Sequence, residues 1–306
     1  MIKTIINRLV NLIRFGVRMD YEYENIKIMM GKILVNQLKT SLNQITSLHD
    51  AEFKVFSQWG DDGIIQYLIN EIEIPDSAKT FIEFGVENYK ESNTRFLLVN
   101  DNWKGLVMDG SKKNIKQIKN DFYIYWGHDL TVNATFITAE NINQLIKDEG
   151  FTGEIGLLSI DIDGNDYWIW KAINVVNPII VIVEYNGVFG IDMAITIPYE
   201  PSFYRTKAHY SNLYFGASLL SLCDLAKEKG YSFVGCSSSG NNAYFVRKDK
   251  IGDIKILTPK QGYVYSKFRE SKDKKGNLTY VGGEKRLDLI KGMKVYNTRT
   301  NEIEVI

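Results

Sequence analysis

The stretch Tyr231-Ser232-Phe233-Val234-Gly235-Cys236-Ser237-Ser238-Ser239-Gly240-Asn241-Asn242-Ala243-Tyr244-Phe245-Val246-Arg247 decides the fold. Two runs rich in aromatic and β-branched residues flank a turn of Ser, Gly and Asn. That pattern is a hairpin, so residues 231–236 and 243–247 pair antiparallel. A helix expected over 215–229 precedes it and stops at Gly230, a common C-terminal signal. Upstream, β-rich runs at 80–84, 105–108, 122–126, 155–160 and 179–183 alternate with helical patterns near 92–100, 112–120, 139–147 and 167–173. Strands alternating with helices mean βαβ units and a mostly parallel sheet. Five such strands followed by a helix and an antiparallel hairpin differ from the six parallel strands of a dinucleotide dehydrogenase. The expected architecture is α/β, a doubly wound, Rossmann-like sheet of seven strands.

The flanks divide the chain of 306 residues into a helical segment over 1–50, a main domain over 51–250 and a small α+β extension over 251–306. The extension holds a charged turn, Lys272-Asp273-Lys274-Lys275-Gly276-Asn277, and a hairpin expected within 295–306. It reads as a cover over the sheet edge. At the other end, Ile2, Ile5, Ile6, Leu9, Val10 and Ile13 fall on one helical stripe with Lys3, Arg8, Arg14 and Arg18 around it. A helix packed on the domain or on a partner chain is the plain reading; peripheral contact with a membrane surface is the other. No small-residue cleavage site follows an apolar run, which argues against a secretory signal.

Composition excludes several classes. Thirty-seven basic residues balance thirty-seven acidic ones, with 44% hydrophobic and 24% charged residues. That is ordinary for a globular protein, and it lacks the basic excess of a nucleic-acid binder. Cys223 and Cys236 form no metal-binding spacing, and two cysteines make no disulfide framework. A reducing, cytoplasmic location is the default. The longest purely apolar run, 179–183, is far too short to span a bilayer. The 18 Tyr, 15 Phe and 5 Trp suit a core and also suit walls around planar or sugar-like ligands.

Candidate site residues gather at the expected carboxyl ends of the strands. Phe81-Ile82-Glu83-Phe84-Gly85-Val86-Glu87-Asn88 ends the first strand, where a doubly wound sheet binds its cofactor. The dinucleotide fingerprint fails there, because only Gly85 is present. Glu83 and Glu87 would repel a pyrophosphate and suit a cationic ligand such as S-adenosylmethionine, although a lone glycine also serves a tight turn. Asp109 ends the second strand, 26 residues after Glu83, and can accept hydrogen bonds from both hydroxyls of a ribose, or cap a helix. Ser159-Ile160-Asp161-Ile162-Asp163-Gly164-Asn165-Asp166-Tyr167 is the densest acidic signal. Strand alternation puts Asp161 and Asp163 on one side. Glu184 and Asn186, at the end of the next strand, lie beside them. With Asp161 they could hold Mg²⁺ or Mn²⁺. Alternatively a carboxylate of the cluster serves as general base, or Asp163 and Asn165 merely cap a helix. His209, in a loop beyond the fifth strand, is a further candidate base, with a structural or solvated role as the plain alternative.

Together these residues resemble the FkbM-type family of S-adenosylmethionine-dependent methyltransferases, which has the class I fold. The matching pieces include Ser57-Gln58-Trp59-Gly60-Asp61-Asp62-Gly63, Glu83-Phe84-Gly85-Val86, Glu91-Ser92-Asn93-Thr94, Val107-Met108-Asp109-Gly110, the acidic segment 159–168, Val183-Glu184-Tyr185-Asn186 and Ser239-Gly240-Asn241-Asn242-Ala243. The resemblance covers about residues 53–250 and implies an O-methyltransferase acting on a hydroxyl of a small molecule, a sugar or glycan. It places Glu83 and Gly85 at the methionine pocket and Asp109 at the ribose. It puts Asn93 and Thr94 near the cofactor carboxylate, Asp161 at the methyl-transfer end, and Gln58 and Gly110 among the cofactor contacts. One departure stands out: Asn88 and Tyr89 occupy the place of a second glycine, where Tyr89 would crowd the cofactor. That departure sustains a competing reading, a non-catalytic interaction module with this fold. An NAD-linked oxidoreductase is the third, disfavoured by the missing glycines.

Overall fold

The computed structural model describes residues 2–306, with side chains from residue 19 onward except residue 20. The stripe and basic residues noted above within 2–18 therefore lie outside the described side chains. Helix α1 (Ile2–Thr40) leads into α2 (Asp61–Glu71), and then the alternation begins. It runs β1 (Thr80–Phe84), α3 (Arg95–Asp101), β2 (Lys104–Asp109), α4 (Lys112–Asn120), β3 (Leu130–Ala134), α5 (Ile142–Asp148), β4 (Gly153–Ile160), α6 (Asp166–Ala172) and β5 (Val176–Glu184). A short β6 (Ile195–Thr196) and α7 (Arg205–Ala208) precede α8 (Leu219–Glu228), and then come β7 (Tyr231–Cys236) and β8 (Asn242–Arg247).

Seven strands form one sheet in the order β3-β2-β1-β4-β5-β8-β7. β1 to β5 are parallel, while β8 runs antiparallel between β5 and β7. This is the class I methyltransferase arrangement anticipated from the hairpin. Alternation along each strand fills two apolar layers. Ile82, Phe84, Leu158, Ile160, Val181 and Val183 face α5, α6 and α8 on one side. Phe81, Val107, Leu157, Ile180 and Ile182 face α2, α3 and α4 on the other.

One expected strand is wrong. Phe122–Trp126 is a turn of π-helix, begun by Asp121, whose side chain accepts from the Ile124 amide at 3.3 Å. The third strand is Leu130–Ala134, which pairs with β2.

α1 docks through one stripe. Val35 and Leu38 are buried, Ile28 packs near Phe56 and Phe96, and Glu24 grips the buried Arg95 at 2.9 and 3.0 Å. Gly31 permits the close approach, since a Cβ there would stand 2.8 Å from both Phe96 and Val55. No helix among the described residues is long and apolar enough to cross a membrane.

The last fifty residues do more than cover an edge. Beyond α9 (Pro259–Gly262) and α10 (Lys285–Leu289), β9 (Lys294–Asn297) and β10 (Glu302–Val305) form the expected hairpin, and β9 also pairs with β6. On the way the chain crosses the carboxyl end of the main sheet. The Lys267 amide donates to the Ser239 carbonyl at 2.8 Å, and the Tyr263 hydroxyl donates to the Gly187 carbonyl at 2.8 Å.

Candidate active site at the carboxyl ends of the strands

β1 has β2 on one side and β4 on the other, so the chain leaves the sheet in opposite directions there. A crevice forms at such a switch point. Here it is a cleft of about 730 Å³ reaching from the loops after β1 and β2 to those after β4 and β5. Gln58, Glu83, Gly85, Asn93, Asp109, Gly110, Asp161, Asp163, Glu184 and Asn186 all line it. Thr94 and His209 do not.

Gly85 is fixed by geometry. Its φ is +76°, and a Cβ would stand 1.6 Å from the Asp161 carbonyl oxygen. The ends of β1 and β4 can approach this closely only with glycine between them. The Gly85 amide donates to the Met108 carbonyl at 3.0 Å, which ties the loop to β2.

Glu83 is buried behind this loop. Its carboxylate accepts from the Ser92 hydroxyl (2.5 Å), the Asn93 amide (2.9 Å), the Thr94 amide (3.1 Å) and the Thr94 hydroxyl (2.5 Å). Burial raises its pKa, and these donors oppose the rise. Glu83 is thus a builder of the cleft, organising the chain into α3. Thr94 was expected near the cofactor carboxylate; its side chain is buried in that network and does not line the cleft. Asn93 does reach the cleft, and its side chain donates to the Ser159 hydroxyl at 3.2 Å. The expected clash from Tyr89 also falls away. Its ring is fully buried, with its hydroxyl 3.0 Å from that of Thr94, and it does not line the cleft.

Asp109 joins both neighbouring loops. It accepts from the Glu87 amide at 2.9 Å and the Ser111 amide at 2.7 Å, and from the Asn114 side chain at 3.3 Å. Ser111, not Asp109, is the N-cap of α4. A carboxylate can accept about four hydrogen bonds, so Asp109 keeps room for a ligand hydroxyl. Gly110 stands beside the half-exposed Phe136 ring; an added Cβ would lie 3.4 Å from it.

The acidic segment divides after β4. Asp161 and Asp163 were expected on one side, but Asp163 takes a φ of 56° and turns outward to pair with Arg205 at 2.7 Å. Asp166 takes its place: carboxylate oxygens of Asp161, Asp166 and Glu184 all lie within 4.8 Å of one another. Asp166 accepts from the Ile162 and Gly164 amides at 2.8 and 2.9 Å, and burial pushes its pKa up to about 6. Burial, then the charges of Asp163 and Asp166, push the Asp161 carboxyl well above the carboxylate range. Burial, then Asp161 and Asp163, do the same to Glu184. One Glu184 oxygen is buried with no hydrogen-bond partner among the described residues. Asn186 is otherwise engaged. Its amide donates to the Leu213 and Phe215 carbonyls at 2.9 Å and its oxygen accepts from the Val188 amide at 2.9 Å. The three-carboxylate group therefore forms without it.

Residues far apart in sequence complete the walls. Arg205 lies 3.6 Å over the Phe215 ring and also pairs with Glu270. Phe136 packs on Tyr204 with ring centroids 5.5 Å apart. Trp59, Phe203 and Phe268 add further rings, and Arg286 lines the far rim from α10. Eight carboxylates line the cleft (Glu83, Glu87, Glu91, Asp109, Asp161, Asp163, Glu184 and Glu270) against two guanidiniums, Arg205 and Arg286. His209 faces elsewhere: its Nδ1 lies 2.7 Å from the Ser211 hydroxyl and its ring packs on Tyr210. It does not line the cleft.

No protein-family model matches the chain, and no curated protein matches it. Solved structures similar to it include an O-methyltransferase from Bacillus cereus in complex with SAH, at 16% identity over 70% of this chain and 89% of that one, with a TM-score of 0.40. The CMeT domain of the citrinin polyketide synthase aligns at 10% identity over 63% of this chain and 55% of that one, TM-score 0.41. The SAH-bound N-terminal domain of EvdMO1 aligns at 10% identity over 55% of this chain and 72% of that one, TM-score 0.36. These likenesses are distant, and it is the strand order of the sheet that identifies the fold.

Proposed function

We propose that the protein is an S-adenosylmethionine-dependent O-methyltransferase of the FkbM type, acting on a hydroxyl of a small sugar or glycan acceptor. The observation that carries this reading is a cleft at the switch point of this sheet lined by eight carboxyl groups and two guanidiniums; with the raised Glu83, Asp161 and Glu184 set aside, five carboxylates still outnumber the two cations. Such a lining repels the pyrophosphate of a dinucleotide and attracts a ligand with sulfonium and ammonium charges. Asp109 retains capacity for the ribose hydroxyls. The rings of Trp59, Phe136, Phe203 and Tyr204 suit the apolar faces of a sugar.

In the reaction the acceptor oxygen attacks the methyl carbon in line with the sulfonium. The O–C bond forms as the S–C bond breaks, and sulfur keeps the electron pair. The acceptor proton passes to Asp161 or Glu184, whose carboxyls burial and mutual charge make more basic than an ordinary carboxylate. Alignment of donor and acceptor supplies much of the acceleration.

The three carboxylates within 4.8 Å support a second reading of the same cluster, in which Asp161, Asp166 and Glu184 hold Mg²⁺ or Mn²⁺ that lowers the acceptor hydroxyl's pKa. Chelation separates the two: turnover lost with a chelator and restored by Mg²⁺ or Mn²⁺ supports the metal, and indifference supports the carboxylate base alone. The non-catalytic alternative rested on Tyr89 crowding the cofactor, and Tyr89 is buried away from the cleft. The free thiols of Cys223 and Cys236 fit a cytoplasmic enzyme.

Calorimetry with S-adenosylmethionine, S-adenosylhomocysteine and NAD tests the cofactor. Binding of neither sulfur compound would overturn the proposal. Mass spectrometry of nucleotide-sugars and glycans after incubation with labelled S-adenosylmethionine then identifies the acceptor.

A further inference from the structure

α1 carries two stripes, and the domain uses only one. The docked stripe runs Glu24, Ile28, Gly31, Val35, Leu38. The other runs Met19, Tyr23, Ile26, Met30, Ile33, and these side chains are between 49% and 65% exposed. At about 100° per residue, Ile26 points roughly 200° away from Glu24, so the exposed stripe lies on the helix face opposite the domain. Its spacing alternates four and three residues, a repeat of seven. The sequence upstream repeats the same spacing at Gly16, Leu12, Leu9, Ile5 and Ile2, all but Gly16 large and apolar. A helix that meets nothing but solvent or lipid has no need of a 3.5-residue period. That period keeps a seam facing a second, supercoiled helix over its whole length.

We infer that α1 is the dimerisation element of this protein, pairing in parallel with α1 of a second copy along the Ile2 to Ile33 seam. In this register Ile5, Leu12, Met19, Ile26 and Ile33 hold the d positions, and Ile2, Leu9, Gly16, Tyr23 and Met30 the a positions. The flanks agree with the parallel orientation. Glu22 falls at g and Lys27 at the e position five residues on, where opposite charges meet across a parallel two-stranded coil, twice by symmetry. In the single chain Lys27 Nζ lies 4.6 Å over the Phe56 ring at the edge of the docked face, so it meets Glu22 of the second copy by swinging away from that ring. The domains sit on the two outer sides of the pair and leave both clefts open. Dimerisation is independent of the methyl-transfer reading, and it is measured without any cofactor.

Sedimentation equilibrium of the full chain tests the inference. The expected mass is twice the 35.1 kDa of one chain. Ile26→Glu with Ile33→Glu is expected to halve that mass while leaving the far-UV circular dichroism of the folded chain unchanged, because both side chains are exposed in the single chain. Ile26→Cys, at a d position, is expected to form an intermolecular disulfide under mild oxidation, as a parallel seam requires. A wild-type chain that stays monomeric at about 100 µM, far above a micromolar Kd, would overturn the inference. So would a dimer that survives the double glutamate variant, or a dimer in which Ile26→Cys never cross-links. A monomer that co-sediments with phosphatidylcholine–phosphatidylglycerol vesicles would assign the stripe to lipid instead.

Discussion

Gly85→Ala tests the close approach on which the cleft depends. Two costs add. An alanine at φ +76° costs about 1–2 kcal/mol for the left-handed conformation. Its Cβ would also lie 1.6 Å from the Asp161 carbonyl oxygen, a contact that neither backbone tolerates. The ends of β1 and β4 must part where Phe84 faces Ile160. Weakening one or two ladder hydrogen bonds there adds about 1 kcal/mol each. The expected destabilisation is about 2–4 kcal/mol. With an unfolding entropy near 2.1 cal/mol/K per residue, a chain of 306 residues should melt about 3–6 °C lower. Because Asp161 and the loop before Glu87 move together, affinity for S-adenosylhomocysteine should fall at least tenfold. Differential scanning calorimetry and titration calorimetry read the two effects. Gly110→Ala is the control for stability: its added Cβ finds an ordinary 3.4 Å contact with Phe136, so its melting temperature should change little. A Gly85→Ala protein with wild-type melting and affinity would refute the reasoning.

Three further outcomes follow from the site. Asp109→Ala should weaken S-adenosylhomocysteine binding about tenfold or more through loss of the ribose acceptor, at about 1.5–3 kcal/mol for a charged hydrogen bond; calorimetry giving unchanged affinity would remove Asp109 from the cofactor site. Wild-type turnover should rise with pH along a limb displaced above the usual carboxylate range, since burial and mutual charge raise Asp161 and Glu184 and the base must be deprotonated. In Glu184→Gln the amide donates to Asp161 without a competing charge, so the limb should move to lower pH; a pH–rate profile with an unmoved limb would exclude the pair as the base. His209→Ala should leave turnover within about twofold of wild type, and a large loss in a steady-state assay would return His209 to the mechanism.

The parallel core was legible because each buried strand is a short apolar run closed by Gly or an acid, and the terminal hairpin carries its own turn chemistry. β3 was not. Leu130-Thr131-Val132-Asn133-Ala134 is an edge strand with mixed burial, whereas Phe122-Tyr123-Ile124-Tyr125-Trp126 has the composition of a strand. Its aromatics serve a different purpose, since Tyr123 stacks on Tyr21 of α1 with centroids 4.0 Å apart. Tertiary packing overrode propensity there. The strand ends Glu83, Gly85, Asp109, Asp161 and Glu184 could be placed from the alternation alone. Asp166 could not, because two residues in turn conformation rotate it back toward Asp161 and carry Asp163 out. Arg205, Glu270 and Arg286 reach the cleft from loops and from the extension, with no local pattern to mark them.

Arg95 has a consequence for how the two ends of the molecule communicate. Its guanidinium is almost wholly buried. It holds Glu24 of α1 at 2.9 Å and the Tyr89 carbonyl, in the loop between β1 and α3, at 2.8 Å. One cation therefore clamps the N-terminal helix and the rim of the cleft together. Remove α1, and this guanidinium loses its nearer carboxylate and keeps only Asp121, at 3.6 Å, beside the loop that follows β1. A chain trimmed to start after Thr40 would thus lose part of what holds the loop after β1, and not only its N-terminal helix. Linkage makes the relation reciprocal: whatever tightens α1 against the domain favours the ordered loop, and a ligand that orders the loop tightens α1 in return.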